Sequence, residues 1–127
     1  MPADDRISIL VVDDYKTMVR ITCELLRQIG FQDVDGATDG AQALAMAREK
    51  EYKLVISDWN MDSLNGMDLL RALKEEHGDD APRFIMATAE SKTDRIVAAR
   101  QAGADGYIVK PYTAATLRTK IDNLFAA

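Results

Sequence analysis

Five polar residues that could work together stand at four well-separated places in this chain, each just after a short apolar run. Asp13 and Asp14 follow Ile7–Val12, Asp58 follows Leu54–Ser57, Thr88 follows Arg83–Ala87, and Lys110 follows Tyr107–Val109. Brought to one place, three carboxylates repel one another, and Lys110 alone cannot balance them. A divalent cation resolves the conflict. Mg²⁺ takes oxygen ligands in octahedral geometry and keeps several waters, so two or three carboxylates suit it and leave room for a phosphate oxygen. A carboxylate beside Mg²⁺ and a lysine can attack phosphorus and become an acyl phosphate. The transition state of that transfer is loose, so positioning and charge neutralisation do most of the catalysis. Mg²⁺ and Lys110 would face two oxygens of the moving group, and Thr88 would donate a hydrogen bond to a third. Lys110-Pro111 is an X-Pro bond, the one kind that is commonly cis, and a cis bond there would aim the lysine inward.

The elements that must position these residues alternate between strand and helix. Ile7–Val12 is apolar and β-branched and reads as a buried strand. Met18, Thr22, Leu25, Leu26 and Ile29 then recur at helical spacing, and Gly30 supplies a stop. A weaker strand spans Val34–Ala37, interrupted by Asp35 and Gly36. Thr38-Asp39-Gly40 makes a turn, and an Ala-, Leu- and Met-rich helix runs to about Lys50. The strand Leu54–Ser57 delivers Asp58. Asn65-Gly66 suits a turn with positive φ ahead of a helix carrying Leu69, Leu70 and Leu73, which Gly78 ends. Arg83–Ala87 delivers Thr88, and Ser91-Lys92-Thr93-Asp94 resembles a capping box opening a helix closed by Gly103. Tyr107–Val109 delivers Lys110, and Leu117, Ile121, Leu124 and Phe125 mark a last helix.

Such alternation implies a mostly parallel sheet with helices on both faces, and strands this apolar are buried on both sides. In open α/β sheets ligands bind beyond the carboxyl ends of the strands, where all five polar residues stand.

Composition closes off other classes. With 47% hydrophobic and 29% charged residues the 127-residue chain is neither disordered nor membrane-embedded, and its length suits one domain over residues 1–127. A net charge of −5 without a basic stripe disfavours nucleic acid. No apolar stretch nears the ~20 residues of a membrane span, and the acidic start is no signal peptide, so a cytoplasmic protein is expected. Cys23 and His77 are the only residues of their kinds, which excludes an internal disulfide and cysteine or histidine metal clusters and disfavours a serine-type triad.

Each feature also has a plain reading. Asp13-Asp14 could simply cap the next helix. Cys23 reads as a small apolar filler, His77 as a solvated surface residue, and Trp59 as a half-exposed neighbour of Asp58 without catalytic duty. The ordered set is what favours a site.

Val11-Val12-Asp13-Asp14, Ile56-Ser57-Asp58-Trp59-Asn60-Met61, Met86-Ala87-Thr88-Ala89-Glu90 and Gly106-Tyr107-Ile108-Val109-Lys110-Pro111-Tyr112-Thr113 together resemble the response-regulator receiver family, and most closely its chemotaxis members. The resemblance spans nearly the whole chain. It implies an α/β, flavodoxin-like (βα)5 fold with five parallel strands in the order 2-1-3-4-5. It implies Asp58 as phosphoacceptor. Asp14, Asp58 and the backbone carbonyl of Asn60 would bind Mg²⁺ directly, with Asp13 reaching it through water. Thr88 and Lys110 would contact the phosphoryl group, Thr88 and Tyr107 would form the switch, and Asn60 and Glu90 would tune self-dephosphorylation. Asp62 departs from the family's usual proline, which leaves loop rigidity and metal affinity open.

By the same resemblance the chain is a monomeric signalling module, not an enzyme beyond its own phosphorylation and dephosphorylation. A histidine kinase would charge it, and it would then dock on a flagellar motor switch protein. A phosphatase is a further candidate partner, with neither nucleic acid nor membrane involved. No output domain is expected after the last helix, and the signal is then expected to leave by docking. Lys92, Ile96, Tyr107 and Lys120 could form a mixed apolar and basic patch for an acidic amphipathic helix. Three alternatives stand beside it: a phosphate sink or cell-cycle or stress receiver with another partner, a Mg²⁺-dependent aspartyl phosphatase, and a flavin-binding module. The phosphatase needs a second Asp where the chain has Asn60, and the acidic strand ends would repel a flavin phosphate.

Overall fold

Runs of β-branched and aliphatic residues too short to fold alone become strands here because each is paired with at least one neighbour, and the three inner ones with two. The computed structural model describes residues 5–61, 64–89 and 92–125. In chain order its elements are β1 (Ile9–Val12), α1 (Lys16–Gln28), β2 (Val34–Ala37), α2 (Gly40–Glu49), β3 (Leu54–Asp58), α3 (Gly66–His77), β4 (Arg83–Thr88), α4 (Thr93–Gln101), β5 (Gly106–Val109) and α5 (Ala114–Leu124), with a 3₁₀ turn at Gly78–Asp80. The strands form one parallel sheet in the order β2-β1-β3-β4-β5, as the resemblance implies.

Strand side chains alternate between faces, and the core divides accordingly. Ile9, Val11, Ile56 and Ile85 pack with Leu26, Leu117 and Ile121 beneath α1 and α5. Leu10, Val12, Val55, Phe84 and Met86 pack with Ala43, Leu70, Leu73 and Ala99 beneath α2, α3 and α4. Cys23, 6% exposed, fills the first of these layers, and burial pushes its thiol pKa up.

Several boundaries differ from the sequence expectation. The first strand starts at Ile9, because Ser8 turns its hydroxyl to Asp33 and gives its carbonyl to Lys53 and Leu54. The last strand takes in Gly106. The weak second strand is paired with β1 along its whole length. Gly36 leaves the space that Val19 fills, where a Cβ would lie 2.4 Å from Val19 Cγ1. Asp35 hangs its carboxylate on the Tyr52 hydroxyl (2.7 Å) and the Lys50 ammonium (2.9 Å), which hold its pKa below the ordinary range. Asp39 caps α2 by accepting from Gln42 N.

Asn65 does not take positive φ. At φ −79° it is the N-cap of α3, accepting from Asp68 N while its own N–H donates to the Asp68 carboxylate. That reciprocal pair satisfies two helix-end donors at once. The cap of α4 is Lys92, without a side-chain bond, so the expected box does not open the helix; Ser91 lies outside the described residues. His77 is half-buried rather than solvated, with Nε2 sealed from water and bonded to none of the described residues. Among the described residues no helix is long and apolar enough to cross a membrane.

Candidate functional site

Parallel pairing brings the polar residues to one sheet edge. Val12 is level with Ser57, Asp58 with Ala87, and Thr88 with Val109. The chain ends each strand there with a backbone bond to its neighbour: Asp13 N to Ala37 O, Trp59 N to Ala87 O, and Lys110 N to Thr88 O at 2.8 Å. Asp13 and Asp14, Asp58, Thr88 and Lys110 thus stand at the carboxyl ends of four adjacent strands, β1, β3, β4 and β5, as the sequence expects.

At the centre, Lys110 Nζ donates to Asp13 Oδ2 at 2.6 Å and lies 3.4 Å from Asp58 Oδ1. Asp13 is 4% exposed and Asp58 9%, whereas Asp14 is exposed. One carboxylate oxygen from each of the three aspartates lies within 4.8 Å of the others. Asp13 Oδ1 also accepts from Tyr15 N at 3.0 Å, but the N-cap of α1 is Tyr15, so the two aspartates do not serve as its cap.

The electrostatics of the cluster are unbalanced. Burial pushes the Asp58 carboxyl above its ordinary pKa; Lys110 opposes this and the nearby Asp13 charge adds to it. Burial pulls Lys110 down, yet its bond to Asp13 and the two carboxylate charges leave its ammonium above the ordinary value. One cation against three carboxylates is a site with an affinity for further positive charge. An all-oxygen donor set of that charge matches Mg²⁺. The residues therefore fit the dication expected from the sequence.

The loop behind Asp58 is tightly built. Gly66 N donates to Trp59 O at 2.9 Å. A Cβ on Gly66 would lie 2.4 Å from the Asp58 carbonyl oxygen, 2.8 Å from Met86 Sδ and 3.0 Å from Trp59 Cα. Alanine inside a helix is ordinarily better than glycine, but here overpacking against backbone decides the sign. Gly66→Ala is expected to lower unfolding free energy by about 1–3 kcal/mol, read by urea denaturation. An unchanged midpoint would show that the loop accommodates the methyl group.

Trp59 is half-buried, as expected, and the Arg95 guanidinium of α4 lies 4.8 Å from its ring centroid. Arg95 escaped the sequence reading because nothing local to α4 signals a partner so distant in the chain. The Lys110–Pro111 peptide is cis. Asn60 is exposed directly after Trp59, and Asp62 and Glu90 lie outside the described residues. Thr88 is fully buried at the end of β4.

Of the expected partner patch, Ile96 and Tyr107 come together, lining with Ala99, Arg100 and Ala104 a cavity of about 40 Å³ between α4 and β5. Lys92 is exposed at the cap of α4, and Lys120 is half-buried on α5. Two further apolar residues, Val97 and Val109, are 43% and 38% exposed. Val109 was legible only as a strand residue, since its outward face depends on β5 lying at the sheet edge.

Comparison with known proteins follows the same lines. The response regulator receiver domain model matches residues 9–122. The chain is 45% identical over 117 residues to the chemotaxis protein CheY-3 of Vibrio cholerae, covering 92% of this chain and 90% of that protein. It is 44% identical to the chemotaxis protein CheY of Pseudomonas aeruginosa, covering 92% and 94%. Among solved structures it superposes on Vibrio cholerae CheY4 with a TM-score of 0.88 at 27% identity, covering 94% and 99%. It superposes equally, at a TM-score of 0.88 and 26% identity with 95% and 90% covered, on the CheY of a CheX-CheY-BeF3-Mg²⁺ complex from Borrelia burgdorferi.

Proposed function

Because the chain belongs to the response regulator receiver domain family, we propose that residues 1–127 act as one phosphorylation-switched chemotaxis regulator whose phosphoacceptor is Asp58. The observation that carries this reading is the Lys110 ammonium set between the buried carboxylates of Asp13 and Asp58. Asp58 is near-buried but reachable at the sheet edge, and Lys110 keeps one of its oxygens oriented. An Asp58 oxygen attacks the phosphorus of a phosphohistidine or a small acyl phosphate; the bond to the donor breaks and the aspartate becomes an acyl phosphate. Water later cleaves it. Asp14, Asp58 and the Asn60 carbonyl would hold Mg²⁺ directly, with Asp13 reaching it through water, and the ion would offset charge on the transferred group. Thr88 and Lys110 contact the new oxygens, and Asn60 and Glu90 set the rate of hydrolysis.

The new group adds a charge of about −1.5 to −2. Thr88 turns toward it, and Tyr107 follows into the region beside the α4–β5 cavity. A two-state element biased by local charge then alters the face of α4, β5 and α5. Lys92, Ile96, Tyr107 and Lys120 on that face suit an acidic amphipathic helix. The partner is a flagellar motor switch protein, the donor a chemotaxis-type histidine kinase, and the setting the cytoplasm.

Trp59 supplies the direct test. Mg²⁺, and then beryllofluoride or acetyl phosphate, will change its fluorescence, because its ring adjoins Asp58 and stacks on Arg95. A response that survives intact in Asp58→Ala counts against the site. The output is tested separately: phosphorylated protein should bind an acidic motor-switch peptide about tenfold or more tightly than unphosphorylated protein. No gain in affinity would favour a phosphate sink.

A further inference from the structure

The turn that carries Lys110 is held to the body of the protein at a point outside the site. Strand pairing ends where Lys110 N meets Thr88 O, and α5 starts at the Thr113 cap. Between them lie only Pro111, exposed and without an N–H, and Tyr112. Thr113 spends its side chain on its own helix, bonding Thr116. Tyr112 instead packs its ring against the layer beneath α1 and α5, and its hydroxyl meets Thr22 Oγ1 at 2.7 Å. Thr22 is fully buried on α1, the helix that follows Asp13 and Asp14.

Two segments are therefore joined at two points: Asp13 to Lys110 at 2.6 Å, and Thr22 to Tyr112 at 2.7 Å. The first joint cannot persist unchanged through the reaction proposed above. When Lys110 turns to the oxygens on Asp58, its bond to Asp13 is weakened. The second joint is a hydroxyl–hydroxyl bond with no carboxylate in it, so that change does not require it to break.

The geometry points to Tyr112 and Thr22 as a pair of positioning residues whose hydroxyl–hydroxyl bond keeps Lys110 in reach of Asp58 once Asp13 releases it. Neither touches the phosphoryl group; both act through the backbone of the Lys110–Thr113 turn. Burial keeps the Tyr112 phenol above its ordinary pKa, so it stays protonated and able to bond across the working range. The inference rests on Asp58 being the phosphoacceptor, and the experiment separates the two claims.

Tyr112→Phe and Thr22→Val each delete one hydroxyl and preserve shape. The measurement is the rate of acyl phosphate formation from acetyl phosphate in Mg²⁺, beside Mg²⁺ affinity read from Trp59 fluorescence. Each single variant should react about three- to tenfold more slowly. Mg²⁺ affinity should hold within about twofold, since the carboxylates are untouched. The double variant should be no slower than the slower single one, and Thr22→Ser, which keeps the hydroxyl, should retain the wild-type rate. A Tyr112→Phe protein that reacts at the wild-type rate overturns the inference, as does a double variant whose defect is the product of the two. Loss of Mg²⁺ affinity along with rate would mean a general loss of structure and would equally overturn it. A wild-type protein that takes no phosphoryl group at all sinks the phosphoacceptor assignment itself, and this inference with it.

Discussion

Asp58→Asn will take up no phosphoryl group from acetyl phosphate, and it will nonetheless melt at a higher temperature than the wild type. The first half follows from the proposed role of Asp58 as nucleophile: an amide oxygen cannot form the acyl phosphate, and Asp13 and Asp14 belong to a different segment. Chelating Mg²⁺ should abolish labelling of the wild type too, because the one lysine does not balance the three carboxylates and a dianionic donor. The second half follows from linkage. Burial raises the Asp58 pKa in the folded protein, and Asp13 raises it further despite Lys110. The folded state therefore binds this proton more tightly than the unfolded chain does. The contribution of this one group to stability is greatest below the unfolded carboxyl pKa and is lost as pH rises through the interval between the two values. Asparagine removes that cost at neutral pH and shortens the list of buried like charges. The expected rise in melting temperature is on the order of a few °C in metal-free buffer, and it should shrink below about pH 4, where the wild-type carboxyl is protonated in both states. Labelling of Asp58→Asn, seen by mass spectrometry, would move the phosphoacceptor elsewhere.

Lys110→Ala is expected to harm both rate and stability. Its ammonium is bonded to Asp13 and faces Asp58, with the lysine side chain 20% exposed and the two carboxylates 6% and 11%. Removing one partner of a fully buried pair costs about 3–5 kcal/mol, mostly from the charge left behind. Water reaches this lysine, so a loss of about 2 kcal/mol is expected at neutral pH. The loss should diminish as pH falls through the raised Asp58 value, because a protonated Asp58 no longer repels Asp13. Millimolar Mg²⁺ should also restore part of it, since the dication replaces the missing charge. Acyl phosphate formation should slow by about a hundredfold, the usual consequence of deleting one preorganised donor to a transferring group. Urea midpoints at two pH values, with and without Mg²⁺, check the stability claim. An alanine variant as stable as the wild type at pH 7 would mean that the two carboxylates are far better hydrated than their burial implies.

Much of this arrangement was legible without coordinates. The apolar runs ending in Asp13, Asp58, Thr88 and Lys110 placed the polar residues at strand ends, and a parallel sheet has its strand ends on one side. Local chemistry was less well resolved. Asn65 reads as a turn residue, but its Oδ1 and the Asp68 carboxylate three residues on make a capping box. Asp35 and Gly36 read as interruptions of a strand, because neither the Tyr52 and Lys50 donors nor the Val19 methyl group adjoins them in sequence. His77, beside a helix-ending glycine, reads as surface, yet its ring is partly covered.

The order of residue types along the chain determined the element pattern, the two-faced burial and the strand-end placement of Asp13, Asp14, Asp58, Thr88 and Lys110, because side-chain period and strand-end polarity are local properties of a sequence. Only the tertiary structure decided that Lys110 is bonded to Asp13 more closely than to Asp58, that Gly66 has no room for a Cβ, that Arg95 stacks on Trp59, and that Tyr112 reaches Thr22. Each of these joins residues from separate segments at distances of a few ångströms, and such distances are set by how whole helices pack on the sheet, which no stretch of the sequence encodes by itself.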